Sequence, residues 1–401
     1  MSSSSTLRIV HVFRAPLGGL FRHVVDLAVE QAARGHAVGL FFDRGGDCAR
    51  VREAIARIPG GTALGVEMTP IRRNPHVTDI TAMRALARYL KQTRPDVVHG
   101  HGSKGGLYAR LIDGAHRRDR PIRAYTPHGG SFNYRAGSRV HAAYMWVERA
   151  LARRTDLFLF ESDHIRERYD VFVGIDHGVR RVIVNGLGSA EFEPVKPPAE
   201  AADFLYVGEL RAAKGIDTLL DALALVRRET GIPPSAVLVG SGPDRDALIA
   251  RADRLGLAAT VRFPGPLPVR QAFALGRIMI VPSRAESMPY VVLEAAAAAA
   301  PLIATDVGGI PEIFGPYRDR LGPPDDPADL ARRMIEELRR APTERARRAA
   351  ELAEFVKAQF SLEQMADTVI SAYLEALTRR DLDARMPRRG EARGARLVNE
   401  A

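Results

Sequence analysis

A chain of 401 residues, 46% hydrophobic, is long for one domain and suits two, and it shows no apolar run approaching the roughly 20 residues of a membrane span. Its 58 lysines and arginines against 48 acidic residues leave a net charge of +10, the balance of an Arg- and Ala-rich composition and one that also favours anionic partners. Aromatic residues at 6% leave few stacking platforms, which argues against nucleic acid, and MSSSSTLRIV lacks the charged start and apolar core of a signal peptide. A single cysteine, Cys48, read as an incidental loop residue, excludes an internal disulfide and a cysteine-built zinc site, so the expected location is the cytoplasm.

Taken in order, short apolar strands alternate with amphipathic helices, the pattern of a parallel sheet covered on both faces. A strand at Leu7–Phe13 runs through RAPLGGL into a helix, Phe21–Arg34, and the next strand is Ala37–Phe42. Gly18 and Gly19 at this strand-to-helix turn would let a ligand approach the backbone closely. The spacing is not the GxGxxG of a dinucleotide site, although Asp43 supplies an acid where such a site wants one, so an NAD-binding dehydrogenase stays open. A strand at Pro95–His99 leads into HGSKGGLYARL, where Lys104 with Gly105 and Gly106 would form a small anion cradle or simply a solvated lysine. The strand Ile122–Thr126 ends in PHGGSFNYR, which puts His128 at the carboxyl end of a parallel strand, where open α/β sheets bind ligands. A helix at Val140–Arg153 and strands at Leu157–Glu161 and Arg181–Val184 follow, then a proline-rich, charged stretch without periodicity, Glu193–Asp203, which has the character of a linker.

The pattern then resets. A strand at Phe204–Gly208 is followed by ELRAAKG, with Arg211 and Lys214 just past its carboxyl end, and a strand at Ala236–Gly240 carries Gly240 and Gly242 as turn glycines. The strand Ile278–Val281 opens a polar loop carrying Glu286, and a helix follows with Pro289 in its first turn, where the missing N–H costs nothing. The free N–H groups at Ser287–Tyr290 would suit a phosphate or sugar oxygen. Glu294, a turn and a half further in, can reach back toward the same ligand, and two carboxylates there favour hydroxyl groups over phosphate. An Ala-rich helix stopped by Pro301 with two surface glutamates is the plain alternative. Helices at Ala328–Arg340 and Thr343–Gln359 and a last amphipathic helix precede a tail, Arg379–Ala401, expected to be disordered.

ESMPYVVLEA, then a strand, then DVGGIPEI resembles the glutamate, seven residues, glutamate signature of retaining nucleotide-sugar glycosyltransferases of the GT-B fold, family 4, or glycosyl transferases group 1. The resemblance implies that Glu286 and the segment Ser287, Met288, Pro289 hold the donor sugar and that Glu294 holds the nucleotide ribose. HVFRAPLGGL resembles the family's opening, whose paired glycines, here Gly18 and Gly19, face the donor diphosphate; TPHGG resembles the stretch whose histidine, His128, lies beside the sugar and its phosphate. Arg211 and Lys214 match the arginine and lysine that hold the diphosphate. Lys104 is left as an acceptor or phosphate contact, Leu20 and Gly100 depart from the usual pattern, and HGSKGG and YTPHG are similar to stretches in surface-polysaccharide enzymes.

The expected fold is α/β GT-B, two doubly wound Rossmann-like domains facing a cleft, with the last helix crossing back to the first. Residues 1–190 would be the acceptor-side domain, 191–203 the linker, 204–360 the donor domain, 361–378 the crossover helix and 379–401 the disordered tail. The expected activity is that of a hexosyltransferase of EC class 2.4, moving a sugar with retention from a nucleotide sugar, UDP-linked before GDP-mannose, to a saccharide or lipid-linked hydroxyl. His128, Glu286, Arg211 and Lys214 carry the catalytic expectation. No cofactor is expected, and no metal, since neither Asp325–Asp326 nor the DLDAR of the tail follows a core strand. A peripheral contact with anionic membrane at the inner face of the plasma membrane is the further partner expected. The rivals are the dehydrogenase and a catalytically silent sugar-nucleotide binder.

Overall fold

The structure, a computed structural model, describes residues 6–45, 48–112, 120–134, 136–174 and 177–385. The chain forms two compact units: Met1–Glu161, Arg166–Ile183 and Met365–Ala401 make the first, Ser162–Ile165 and Val184–Gln364 the second.

The first unit is built on β1 (Arg8–Val12), β2 (Ala37–Asp43), β3 (Val66–Thr69), β4 (Val97–His101), β5 (Ile122–Thr126), β6 (Leu157–Phe160) and β7 (Val179–Val182), all parallel, in the order β3-β2-β1-β4-β5-β6-β7. The second is built on β8 (Ala202–Val207), β9 (Ala236–Val239), β10 (Val261–Gly265), β11 (Gly276–Val281) and β12 (Leu302–Ala304), parallel and ordered β10-β9-β8-β11-β12. Helices cover both faces, so the central strands are apolar along their whole length rather than alternating. FLYV in β8 and AVLV in β9 are the clearest cases. Both sheets run outward in opposite directions from a central pair, β1 with β4 and β8 with β11, and that reversal point is where a doubly wound sheet opens a crevice at its carboxyl edge.

Helices are stopped and started by local chemistry. Asp326 caps the helix Pro327–Arg339, its carboxylate accepting from the backbone N–H groups of Ala328 and Asp329, and Gly231, at φ 71°, closes the helix Ile216–Thr230. Asp325 pairs with Arg284, so the Asp325–Asp326 dipeptide has structural roles on both sides. The final helix, Leu362–Arg385, extends past Thr378 through the DLDAR stretch expected to be disordered; the rest of that tail, 386–401, lies outside the described residues. Cys48 opens the helix Cys48–Ala56 instead of sitting in a loop.

Two groups of glycines do work that the sequence does not show, for one reason, packing too close to admit a Cβ. Gly105 and Gly106 lie inside the helix Gly102–Leu111, where a Cβ would fall 2.2 Å from the Val12 carbonyl oxygen and 2.2 Å from the Tyr125 ring respectively. They admit the helix to the sheet. Gly240 and Gly242 are likewise more than turn residues: a Cβ would meet the carbonyl oxygens of Gly208 at 1.8 Å and Leu210 at 2.2 Å.

One charged pair is sealed in the first unit's core. Arg110, fully buried, donates to Glu148 across 2.7 Å and stacks over the Tyr125 ring at 3.7 Å, while the Tyr125 hydroxyl donates to the same carboxylate. Replacing Glu148 by alanine strands a guanidinium away from water and is expected to cost about 3–5 kcal/mol. Urea unfolding should show that loss in Glu148→Ala and a large recovery in the double variant Arg110→Met, Glu148→Leu.

Candidate active site

The loops that leave β8 and β11 meet at the reversal point of the second sheet. The backbone N–H of Arg284 donates to the Ala213 carbonyl across 2.9 Å, and the Arg284 guanidinium holds both carboxylate oxygens of Asp217 at 2.8 Å, in the first turn of the helix Ile216–Thr230. Gly215 takes φ 65° beneath Pro282, whose carbonyl oxygen would be 1.9 Å from any Cβ there. Held this way, Lys214 places its Nζ 2.6 Å from Glu286 Oε1, both side chains largely buried.

Glu286 is fixed from behind. The Ser283 hydroxyl donates to its Oε1 across 2.7 Å, and Thr305 Oγ1 donates to the Ser283 carbonyl across 2.6 Å. Gly308 and Gly309 form the floor: Cβ atoms would lie 1.9 Å from the Glu286 carbonyl oxygen and 2.1 Å from that of Ser287, so no larger residue fits beneath this loop. Asn185 Nδ2 donates to the Met288 carbonyl across 2.8 Å and fixes the loop's far end.

The helix that follows is shorter than the sequence implies. It spans Tyr290–Ala297, and Pro289, extended at φ −76° and ψ 118°, precedes it as the capping residue. The carbonyl of Pro289 accepts from Val292 and Leu293, so the first-turn N–H groups of this helix are those of Tyr290 and Val291 rather than those of Ser287–Tyr290. Ser287 and Glu294 are half-buried, and Met288 is buried. Arg211, nearly half-exposed, lies 2.7 Å from Glu209 in the loop after β8.

The first unit gathers a second group, of which the sequence reading named only His128. His11 in β1 and His99 in β4 are register partners, and His101 lies two residues on, so all share one face. His11 Nε2 bonds Gln31 Oε1 at 2.8 Å, His11 Nδ1 bonds His101 Nε2 at 2.9 Å, and His101 Nδ1 bonds His128 Nε2 at 3.1 Å. His99 bonds the hydroxyls of Tyr373 and Thr126, both at 2.8 Å. His23 packs edge-on to His128, with ring centroids 4.8 Å apart. The HxH of β4 was the available signal, a period-two pair of polar residues in an otherwise apolar strand.

Burial pushes His11 down to about 4 against its hydrogen bond to the Gln31 oxygen, which raises it, and burial followed by the neighbouring imidazoles holds His99 and His101 well below the ordinary value. His128 is lowered by burial and then by His23. These are therefore neutral rings at pH 7, each donating through one nitrogen and accepting through the other. Two triplets, His11–His99–His101 and His23–His101–His128, bring ligand nitrogens within 4.8 Å of one another, a grouping that the absence of a DxD sequence gave no hint of. Every ring nitrogen of His11, His99 and His101 has a hydrogen-bond partner.

Around this group the expected ligand contacts divide. Gly18 begins the helix Gly18–Ala33 at φ 65° with open space where a Cβ would be, and Gly19 is exposed beside it. Lys104 is instead engaged inside the first unit, where its Nζ donates to Asp79 across 2.5 Å and Tyr108 donates to the same carboxylate. Lys104 is thus ion-paired within the first unit.

Two doubly wound parallel units, each with charged or polar side chains gathered at the carboxyl edge of the sheet, define the class: a glycosyltransferase of the GT-B fold. Residues 189–354 match the family described as Glycosyl transferases group 1, and residues 17–189 match Glycosyltransferase Family 4. Glycogen synthase of Mycobacterium tuberculosis is 27% identical over 399 residues, covering 90% of this chain and 92% of its own. The glycosyltransferase named EpsD of Bacillus subtilis is 31% identical over 339 residues, covering 77% and 85%. Among solved structures, HepE of Anabaena in complex with UDP and glucose superposes with a TM-score of 0.74 at 18% identity over 92% of this chain and 100% of its own. Sucrose-phosphate synthase of Thermosynechococcus elongatus gives 0.73 at 21% identity over 92% and 99%. The chain belongs to the family 4, group 1 glycosyltransferases, and it is a hexosyltransferase of EC class 2.4.

The histidine cluster sets an acid limit. The unfolded chain takes up protons at these histidines as pH falls through 6.5, while in the folded state His11 takes none until about 4, so stability present at pH 7 is lost across that window. The urea midpoint should fall steadily between pH 6.5 and 4.5, and replacing His11 by glutamine or asparagine should flatten the fall.

Proposed function

We propose that this glycosyltransferase moves a sugar from a nucleotide sugar, UDP-linked in preference to GDP-mannose, onto a hydroxyl acceptor with retained anomeric configuration, in the assembly of a surface polysaccharide or glycolipid. The observation that carries the reading is the Lys214–Glu286 contact of 2.6 Å at the reversal point of the second sheet. A lysine ammonium has three donors, so Lys214 can keep Glu286 oriented and still reach a phosphate oxygen. A carboxylate that already accepts from Lys214 and Ser283 has its second oxygen left to accept from sugar hydroxyls. The structural neighbours support the donor class, since HepE was crystallised with UDP, with UDP and glucose, and with UDP-glucose.

In this reading the acceptor oxygen bonds to the anomeric carbon on the face from which the diphosphate oxygen departs, and the acceptor proton passes to that phosphate oxygen. Negative charge grows on the diphosphate, and Arg211 and Lys214, with the first-turn N–H groups of Tyr290 and Val291, stabilise it without a metal. Glu286 and the Ser287–Pro289 segment hold the sugar, and Glu294 holds the ribose. His128 offers a neutral imidazole to the sugar or its phosphate, and Gly18 and Gly19 leave backbone open to the diphosphate. Glu286 as a covalent nucleophile is the second reading; it is disfavoured by the ammonium on its Oε1, which lowers the carboxylate's nucleophilicity. The acceptor is a saccharide or lipid-linked hydroxyl, and the enzyme works at the inner face of an anionic membrane.

A thermal-shift series with UDP, GDP, ADP, their sugars and NAD tests the donor, since a ligand at 100 times its Kd stabilises by about 2.7 kcal/mol. A UDP-sugar should give the largest shift and GDP-mannose the second; a shift with NAD and none with any nucleotide sugar sinks the proposal. Arg211→Ala and Lys214→Ala should each lose about 10²–10³ in turnover, by analogy with deletion of one preorganised donor, and activity should survive EDTA. Near-normal turnover in both variants, or loss in EDTA with rescue by Mg²⁺, would mean that the diphosphate is neutralised some other way.

A further inference from the structure

The helix Arg139–Ala152 in the first unit leaves one side in solvent with an unusual composition. Arg139, Ala143, Trp146, Ala150 and Arg153, spaced alternately four and three residues apart, form a straight stripe, and all five are exposed. Trp146 stands 70% exposed at its centre, and Val140, 51% exposed, flanks it. Arg149 is exposed beside the stripe. The helix contains one acidic residue, Glu148, and that carboxylate is buried against Arg110. Among the described residues Arg139, Arg149 and Arg153 have no ion-pair partner.

The stripe ends at a basic hollow. Arg153 lines a cavity of about 380 Å³ with Arg120, Arg379, Arg380 and His177; Asp156, the carboxylate in its lining, is held by Arg120, and Arg380 is paired with Asp381, which leaves Arg153 and Arg379 as the lining guanidiniums without a carboxylate among the described residues. An exposed indole costs solvation with nothing gained in water, and unpaired guanidinium groups around it attract negative charge. An indole flanked by arginines is the composition of a helix that lies in a membrane interface, ring at the headgroup level and cations on lipid phosphates. A protein partner with an acidic, apolar groove would need the same chemistry, but Ala142, Ala143 and Ala150 offer it little shape to grip; a bilayer needs none.

We propose that this face, Trp146 with Arg139, Arg149 and Arg153, docks the enzyme on an anionic lipid surface, the Arg153 hollow receiving a lipid headgroup phosphate. The inference gives a location to the membrane contact proposed above and is independent of the donor chemistry.

Trp146 is the single tryptophan of the chain, so its fluorescence reports this face alone. With vesicles of phosphatidylcholine containing phosphatidylglycerol, its emission should shift to the blue and the protein should sediment with the lipid. Pure phosphatidylcholine should give neither effect, and added salt should reverse both. The triple variant Arg139→Gln, Arg149→Gln, Arg153→Gln keeps the reporter and should partition about 100-fold more weakly, at about 1 kcal/mol for each cation at an anionic surface. Its thermal shift with nucleotide sugar should be unchanged, which shows that the variant is folded and keeps failure of docking distinct from failure of the donor assignment. Wild-type protein with an unmoved emission on anionic vesicles overturns the proposal. So does equal binding to neutral vesicles, or sedimentation velocity showing a dimer that Trp146→Ala dissolves, since a second copy would then cover the face.

Discussion

The second unit's chemistry depends on how closely two loops can approach at the carboxyl edge of its sheet. Lys214 follows β8 and Glu286 follows β11, 72 positions apart in the chain, yet their charged atoms sit 2.6 Å from each other. The approach is possible because Gly215 lies under Pro282 and because Gly308 and Gly309 lie under Glu286 and Ser287, each with a carbonyl oxygen where a side chain would begin. Arg284 then locks the loops, bonding one through its backbone N–H and the neighbouring helix through its guanidinium. A charged pair so supported is preorganised, which is the condition under which a cation lowers the energy of a departing anion without reorganising at the moment of reaction.

The first unit solves a different problem, keeping polar groups dry without charging them. Its sheet edge carries a run of imidazoles from Gln31 through His11 and His101 to His128, each ring satisfied by the next. Because the Gln31 oxygen accepts at one end, the chain has a direction: His11 donates outward to Gln31, His101 donates to His11, and His128 donates to His101. His128 then presents Nδ1 as an acceptor. Elsewhere in the same unit the fully buried guanidinium of Arg110 is matched by Glu148, under the Tyr125 ring. Both devices obey one rule, that a buried polar group must be bonded and a buried charge must be matched.

Much of the architecture was legible in the chain. Parallel strands buried on both faces are apolar along their whole length, so FLYV, AVLV and IMIV stand out against helices with one polar side. Ordered motifs placed Arg211, Lys214, Glu286 and His128 at strand ends, and they are there. Glycines were harder to read. A turn glycine and a glycine that admits a close neighbour look alike in sequence, which is why the packing of Gly240, Gly242, Gly105 and Gly106 is not legible there. Helix ends also moved: Pro289 reads as a first-turn residue by type, but its extended ψ makes it the cap.

By itself the sequence determined the parallel α/β layering, the order of the ligand-bearing loops and the family, because these follow from periodicity and from residues close together in the chain. Only the tertiary structure decided which side chains meet. Lys214 with Glu286, Arg284 with Asp217, Arg110 with Glu148 and His11 with His101 are all brought together by strand order, and hydrogen bonding at such separations leaves no local trace. The structure also gives Lys104 a partner that the local sequence does not show, Asp79, 25 residues away. Local patterns record what a segment can do; which charge is spent on a neighbour and which is left for a ligand is settled only when the sheet brings distant segments into contact.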